Sequence, residues 1–223
     1  MKKMGLLAAV LGGVLAVSPA FAADGVINIE RETIAEFFNQ ATRGFTDTQG
    51  HWAEQEIYKA VDLNYVSGTS ETEFSPDIPM TRAMLVTLLY RMAGQPEVSG
   101  ESAYTDVPKG SWYEKAVLWT VEKGISYGQT GTVFGVTGSA SREQIVTMLY
   151  RYARVMGYDV SQYGNTTVFS DNGEIAPVSK AAVSWAMAQK LISGKENGRL
   201  DPKGDATRAE VVAIVMRFLA LNE

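Results

Sequence analysis

Three arginines recur at one position of a repeated pattern and could bind acidic groups. Arg208 lies in the segment ATRAE, and Arg82 and Arg142 hold the same place in MTRAM and ASREQ. Each segment opens an apolar-periodic stretch, which predicts a helix start, where an acid is more usual than a cation. A helix N-terminus attracts anions, and an arginine beside it can bind a carboxylate through two parallel hydrogen bonds. The pattern indicates three candidate sites for an acidic ligand.

An internal role for the same arginines stays open. An aspartate lies two residues after an aromatic residue at the start of each unit: Asp47 in FTDT, Asp106 in YTDV and Asp171 in FSDN. These aspartates could pair with the arginines and connect the repeats, or they could contribute to ligand binding. Both roles can coexist.

Two tryptophans near the predicted helix starts, Trp52 and Trp112, are candidates for contact with a sugar ring. An aromatic residue at a helix start is more often a packing residue. We therefore interpret both mainly as packing residues, with an edge that reaches a binding groove. Trp119 and Trp185 lie inside the predicted helices, and we assign them to the core.

Residues around the arginines predict helix caps. The candidate capping residues are Thr81, Ser141, Thr207 and Glu210. The capping-box pattern S/T-x-x-E/Q is complete in the second and third segments, whereas Met84 stands at the acidic position of the first. Capping explains the hydroxyl and acidic residues but leaves the arginines unexplained. The later cations Arg91, Arg151 and Arg217 are interpreted as partners of helix C-terminal dipoles.

The elements that must position these residues form a threefold repeat. Blocks 51–91, 111–151 and 177–217 align without a gap, and each reads as helix, loop, helix. Apolar residues at i, i+3, i+4 and i+7 give each second helix a stripe that three copies can bury together. We expect Gly68, Gly128 and Gly194 to form left-handed caps or turns, and Phe74 to hold the loop to the body. The sequence predicts an all-α, pseudo-threefold domain.

The repeats resemble the S-layer homology repeat of bacterial cell-surface proteins. The motifs that carry the resemblance are an opening F-x-D, then HWA, a glycine, F-x-P and T-R-A-E. The resemblance implies a helical spindle of three repeats that attaches non-covalently to the cell envelope. It also implies an acidic, pyruvylated secondary cell-wall polysaccharide, or modified peptidoglycan, as the ligand in grooves between repeats. The T-R-A-E arginine is then expected to meet the acidic ketal. Met84, Val136 and Val178 depart from the pattern, so we expect unequal grooves.

The N-terminal residues predict a secretory signal peptide at 1–22. Lys2 and Lys3 precede an apolar run that is shorter than a membrane span, and Ala20-Phe21-Ala22 offers a cleavage site. Cleavage removes two of the 20 basic residues and none of the 25 acidic ones, so the exported chain is acidic. We therefore expect no binding to nucleic acid, and since no later stretch is long and apolar enough to span a membrane, we expect no membrane insertion. The resemblance to the S-layer homology repeat implies a location in the cell wall at the cell surface.

The predicted boundaries after the signal peptide follow the repeats. They are a segment 23–44 with a short helix around Ile34, Phe37 and Phe38, repeat one at 45–94, a linker at 95–103, repeat two at 104–157, a linker at 158–168, and repeat three at 169–223.

The sequence favours a binding module over an enzyme. It has no cysteine and one histidine, His51, which we expect at the surface, and no metal or cofactor motif. A secreted hydrolase acting on wall polymers is disfavoured, although a carboxylate pair for glycoside cleavage stays open. A self-assembling surface-layer subunit is the other alternative. We expect a non-catalytic, monomeric module without a cofactor.

Overall fold

Each repeat folds as two α-helices joined by a long loop, as the apolar periodicity predicted. The computed structural model describes residues 44–195 and 197–222. The α-helices are α1 (Glu54–Asp62), α2 (Arg82–Met92), α3 (Glu114–Glu122), α4 (Arg142–Val155), α5 (Lys180–Ala188) and α6 (Arg208–Ala220). Short 3₁₀ turns at Thr166–Val168, Asn172–Glu174 and Pro177–Ser179 precede α5. These described ranges contain isolated bridges but no strand, which confirms the all-α class.

The signal peptide and the short helix predicted before residue 44 lie outside the described residues. Within the described ranges, no helix has the length and apolar character needed to cross a membrane. The spindle shape implied by the resemblance stays a prediction.

The shared glycines have a packing role that differs from the prediction. The left-handed residues after α1, α3 and α5 are Asn64, Gly124 and Lys190, with φ of 58°, 68° and 56°. Gly68 comes four residues later, and a Cβ there would lie 2.3 Å from the Phe45 ring. The aromatic residue of each opening F-x-D motif thus packs against a glycine that has no room for a side chain.

The second helix of each repeat packs against the first helix of the next repeat. The pairs are α2 with α3, α4 with α5, and α6 with α1. Their apolar stripes form one core, in which Trp119 and Trp185 are buried as predicted. Phe74 is fully buried, so its predicted role in holding the loop is confirmed.

The three inter-helix loops meet in a closed ring of backbone hydrogen bonds. Met80 N–H donates to Ala206 O at 2.9 Å, Ala140 N–H to Met80 O at 2.9 Å, and Ala206 N–H to Ala140 O at 3.4 Å. Isolated antiparallel bridges flank this ring at Pro79–Thr207, Thr81–Ser139 and Ser141–Asp205. Every repeat therefore contacts both others, and the contacts follow a threefold pattern.

Candidate ligand-binding grooves

The T-R-A-E arginines join each repeat to the loop of the next one. Arg82 donates from Nε to Phe134 O at 3.2 Å and from Nη2 to Tyr127 O at 2.7 Å. The equivalent acceptors are Leu200 and Ser193 for Arg142, and Phe74 and Ser67 for Arg208. All three arginines are buried, so these hydrogen bonds replace contacts with water. The arginines therefore do connect the repeats, as one alternative from the sequence allowed. They donate to backbone carbonyls, however, and not to the opening aspartates.

The opening aspartates hold the same loops from the other side. Asp47 accepts hydrogen bonds from Phe74 N–H at 2.9 Å and Ser75 N–H at 2.6 Å. The equivalent donors are Phe134, Gly135 and Val136 for Asp106, and Leu200 and Asp201 for Asp171. Each loop is therefore fixed by its own aspartate and by the arginine of the preceding repeat.

Backbone donors control the charge of two of these aspartates. Burial alone would raise the pKa of Asp106, but hydrogen bonds from Val136, Phe134 and Gly135 outweigh burial and lower it. The same balance, helped by Arg199, lowers the pKa of Asp171. Both carboxylates are therefore ionised where they support their loops.

A cavity of about 480 Å³ lies beside the loop of repeat one. Arg208 of repeat three, Arg91 of repeat one and Trp112 of repeat two all line it. Trp112 is 62% exposed, so its ring is available to a ligand. The aliphatic and thioether side chains of the lining are Val66, Met80, Met84 and Leu88.

In repeat one, the position equivalent to Glu210 of repeat three holds no acid. The guanidinium of Arg208 therefore meets no carboxylate from that position. Nη1 of Arg208 lies 3.4 Å from the Met84 sulfur. Burial lowers the pKa of Arg208 to about 10, and the charge of Asp47 opposes this shift only in part. Arg208 stays protonated at neutral pH, and an acidic ligand would stabilise its charge. Thr87 Oγ1, which belongs to a residue of the same lining, has no hydrogen-bond partner among the described residues.

A second cavity, of about 190 Å³, has the same construction in another groove. Trp52 of repeat one, Arg142 of repeat two and Arg217 of repeat three line it. Trp52 is 60% exposed. Here Glu210 is present, and its Oε1 lies 4.0 Å from Nη1 of Arg142. This groove therefore already contains an acid beside its arginine.

The third groove departs from this construction. By the repeat alignment it combines Arg82, the loop of repeat two and the start of α5. Val178, which is exposed, stands at the position of the two tryptophans. The acidic position holds Gln144. The groove thus lacks both the indole and the carboxylate, as the unequal motifs predicted.

Two interpretations of aromatic residues change in the structure. The packing role assigned to Trp52 and Trp112 is wrong, because both are more than half exposed at cavity edges. His51 is not a free surface residue either. Its Nδ1 accepts from Ala53 N–H at 3.1 Å, its Nε2 lies 3.3 Å from Asp77 Oδ1, and its side chain is 12% exposed.

The closing arginines also contribute to the grooves, which the sequence interpretation missed. Arg91 and Arg217 lie in the last turns of α2 and α6, consistent with a dipole role, but each also lines a cavity. Nη1 of Arg217 donates to Leu191 O at 3.3 Å, and Nη1 of Arg151 to Ile125 O at 3.3 Å. The sequence offered one signal for this role, because these arginines recur at the same position of all three repeats without a gap. A residue that only balances a helix dipole does not need a fixed position.

The predicted caps are confirmed. Complete capping boxes join Ser141 with Gln144 and Thr207 with Glu210. Thr81 accepts a hydrogen bond from Met84 N–H at 3.3 Å. Met84 leaves the first box incomplete, as expected.

Comparison with known proteins associates these features with one domain family. The sequence model of the S-layer homology domain matches residues 44–83, 103–146 and 168–212. The chain is similar to an amylopullulanase of Thermoanaerobacterium thermosulfurigenes, with 29% identity over 78% of this chain and 9% of the relative. It is similar to the exoglucanase XynX of Acetivibrio thermocellus, with 28% identity over 78% of this chain and 16% of the relative. It is also similar to the surface-layer 125 kDa protein of Lysinibacillus sphaericus, with 26% identity over 75% of this chain and 14% of the relative.

This chain spans less than a fifth of the length of each of these three relatives. The enzyme names of two of them therefore describe those proteins. What the relatives have in common with this chain is a segment that carries the repeats.

Proposed function

Because the chain belongs to the S-layer homology family, whose domains mediate anchoring at the cell surface, we propose that it binds an acidic secondary cell-wall polysaccharide non-covalently. The binding sites are the grooves between repeats. In this proposal the chain is an exported, monomeric and non-catalytic module, and the sugar polymer is its partner.

The groove of about 480 Å³ carries the proposal, and one observation in it is decisive. Arg208 faces this groove with a thioether, not a carboxylate, beside its Nη1. A buried guanidinium whose charge is compensated only in part, here by Asp47, is costly, and an incoming carboxylate would offset that cost. The groove volume is also within the usual range for small-ligand sites, about 300–1,000 Å³.

The lining of this groove supports a particular ligand chemistry. The apolar side chains of Met80, Met84 and Leu88 lie in the same lining as Arg208. A carboxylate that carries a methyl group beside it, as in a pyruvate ketal, would satisfy both the charge and the apolar surface. The exposed ring of Trp112 offers a flat surface for the attached sugar.

Co-sedimentation with purified cell-wall sacculi, before and after acid extraction of the secondary polysaccharide, tests the proposal. We expect Trp112→Ala to weaken binding about fivefold or more, since an aromatic contact contributes about 1 kcal/mol or more. Trp52→Ala is the matched control, because it removes the same residue type from the smaller groove, which already contains Glu210. We expect it to weaken binding less.

Three results would reject parts of the proposal. Binding that survives extraction would make peptidoglycan the ligand. Unchanged binding by both tryptophan variants would exclude the grooves. A folded protein that does not sediment would exclude wall binding.

A further inference from the structure

A cavity of about 190 Å³ lies where α5 and α6 end, beside the linker between repeats two and three. We call it the helix-end cavity, and its lining residues are Asp159, Gln162, Trp185, Gln189, Phe218, Leu221 and Asn222. It shares no lining residue with the cavities of Arg208, Arg142 and Arg151, one of which lies in each groove. None of its described lining residues is an arginine or a lysine. The helix-end cavity is therefore separate from the grooves of the wall-binding proposal.

The carboxamides at the two helix ends are confined to repeat three. The repeat alignment places Leu63 and Lys123 at the position of Gln189, and its ungapped extension places Pro96 and Met156 at the position of Asn222. The helices of repeats one and two form without a carboxamide at either position. The fold alone therefore does not require Gln189 and Asn222.

Several polar groups of the cavity have no partner within the described part of the chain. The side-chain amides of Gln162 and Gln189 form no hydrogen bond there, and Nε1 of Trp185 is buried without a partner. Asn222 donates from Nδ2 to Phe218 O at 2.7 Å, which leaves its Oδ1 as an acceptor. A carboxamide both donates and accepts, whereas the indole N–H only donates. Because unpaired buried polar groups cost free energy, a ligand that offers both acceptors and donors would be stabilised here.

The charge of the cavity disfavours an acidic ligand. Hydrogen bonds from the side chain and the backbone N–H of Ser161 lower the pKa of Asp159, so its carboxylate is ionised at neutral pH. The C-terminal ends of α5 and α6 meet the same cavity and add partial negative charge. N–H donors and cations are therefore favoured over carboxylates and phosphates.

The apolar surface of the cavity disfavours a sugar. Trp185 and Phe218 are 1% and 2% exposed, so neither presents a ring face for stacking, in contrast to Trp112 in its groove. Leu221 is exposed and offers an aliphatic contact. The volume is below the usual range for small-ligand sites, about 300–1,000 Å³, so the cavity admits only a short part of a chain. A peptide unit fits these limits, because it brings one N–H donor and one C=O acceptor beside its side chain.

We propose that the helix-end cavity binds a short peptide segment that is neutral or basic. The carboxamides of Gln162, Gln189 and Asn222 bind N–H and C=O groups of the peptide backbone, and Asp159 repels acidic side chains. This function goes beyond wall anchoring, because it gives the module a polypeptide partner at a site that an acidic polymer does not use.

Two-dimensional ¹H–¹⁵N NMR of the labelled protein tests the site through the indole N–H signal of Trp185. Trp185→Phe identifies this signal by removing it. The probes are blocked tripeptides with glycine at both ends and leucine, lysine or glutamate between them, together with glucose as a neutral sugar. We expect a saturable shift of the signal with the leucine and lysine peptides and binding about fivefold weaker with the glutamate peptide. Glucose should cause no shift.

Variants of two lining residues test the assigned roles. Gln189→Leu introduces the residue that repeat one holds at this position, so it should keep the fold. It removes the hydrogen bonds of one carboxamide and should weaken peptide binding about fivefold. Gln49→Leu makes the same change at an exposed position outside the cavity and should bind like wild type. Asp159→Asn should bind the glutamate peptide as well as it binds the leucine peptide.

Four results would overturn the proposal. Absence of a shift with every peptide would leave a cavity that holds only water. A shift with glucose alone would make a neutral sugar the ligand. Equal binding of all three peptides by wild type would remove the selection by charge. Peptide binding that Gln189→Leu retains in full would leave the carboxamide without a part in it.

The test is independent of the wall-binding proposal. Trp112→Ala should leave peptide binding unchanged, because Trp112 lines a different cavity. Gln189→Leu should likewise leave sacculus binding unchanged. Loss of sacculus binding with intact peptide binding would reject only the groove function, and absence of peptide binding with intact sacculus binding would reject only the helix-end site.

Discussion

Each T-R-A-E arginine makes two kinds of contact with one side chain. Nε and Nη2 bind carbonyls of the next repeat, and Nη1 of Arg208 and Arg142 approaches the residue at the acidic position of the neighbouring motif. The unfavourable placement of a cation at a helix start is offset by hydrogen bonds to carbonyls of another repeat. These arginines are therefore structural residues before any ligand binds.

Replacement of Arg82 by alanine should destabilise the protein strongly. The variant loses one buried and one partly buried hydrogen bond from a charged donor, each contributing about 1.5–3 kcal/mol, so we expect the free energy of unfolding to fall by about 3 kcal/mol or more. Urea denaturation measures this change. Lys115→Ala, at an exposed position, should change stability by less than about 0.5 kcal/mol.

A loss of less than about 1 kcal/mol in Arg82→Ala would contradict the structural role. Arg82→Lys should not restore stability, because an ammonium group cannot reproduce the planar fork. Reduced wall binding by arginine variants must therefore be compared with their stability.

The sequence showed that an arginine at each helix start is unusual, because an acid is more common there. The spacing of residues could not identify the hydrogen-bond partners of these arginines. Within one repeat, the nearest candidates were the opening aspartates. The acceptors are carbonyls of another repeat, as in the Arg208 hydrogen bond to Phe74 O. The exposure of Trp112 was equally inaccessible, because it depends on a groove that two other repeats complete.

At the level of single elements, α2 differs from α4 and α6 in its incomplete N-terminal cap. Met84 weakens the helix start and, at the same time, places a thioether and not a carboxylate beside Nη1 of Arg208. The residue at this one position thus couples the stability of a helix to the charge of a candidate groove.

The variant Met84→Glu should separate these two effects. A complete capping box should stabilise the protein by about 0.5–1 kcal/mol. A carboxylate near Arg208 should weaken binding of an acidic ligand about fivefold or more, since two charges at 4 Å interact by at least about 1 kcal/mol. Urea denaturation and sacculus co-sedimentation measure the two quantities.

Met84→Gln is the matched control for this prediction. It can complete the box without adding a charge, so it should stabilise α2 and retain more binding than Met84→Glu. If both variants bind alike, the charge beside Arg208 does not control the groove.

The loops should respond to acid through Asp106 and Asp171. The pKa of each is lowered in the folded protein, so its stabilising contribution is full above the unfolded pKa, about 3.9, and is lost as pH falls through the folded pKa. We expect the free energy of unfolding to be level above about pH 5 and to decline steeply below about pH 4.

Denaturation of the double variant Asp106→Asn with Asp171→Asn across this pH range checks the assignment. The variant should be less stable at neutral pH and should show a shallower decline in acid. Glu71→Gln with Glu97→Gln removes two exposed carboxylates and should keep the wild-type decline. An unchanged slope in the aspartate variant would assign acid sensitivity to other groups.

At the level of the whole molecule, the described repeats close on one another. The ring through Met80, Ala140 and Ala206 and the three helix pairs give every repeat two neighbours. A linear array of repeats would leave two ends uncovered. Periodicity and alignment are local properties that can be read from the sequence. The sequence therefore indicated three copies and a shared core. The closure of the ring was inferred only from the need to bury three stripes.

Removal of repeat three should therefore unfold both remaining repeats. A chain that ends at residue 168 exposes the face of α1 that α6 covers and leaves Met80 N–H unpaired. We expect it to lose cooperative thermal unfolding by circular dichroism.

A circular permutant is the control for this deletion. It begins at residue 104 and carries repeat one, through a flexible linker, after residue 222. It preserves the ring while changing the chain order, so it should unfold cooperatively. A cooperative transition in the two-repeat chain would reject the closed arrangement.

The hydrogen bond from Arg208 to Phe74 spans 134 positions of the chain. Contacts between such distant segments form slowly, because the intervening chain must be ordered first. In a polypeptide delivered from its N-terminus, repeat one cannot complete its loop until the start of the last helix has emerged. The newly made chain therefore passes through a period in which its first two repeats are open to proteases and chaperones, and this period ends only when Arg208 is available to bind Phe74 O.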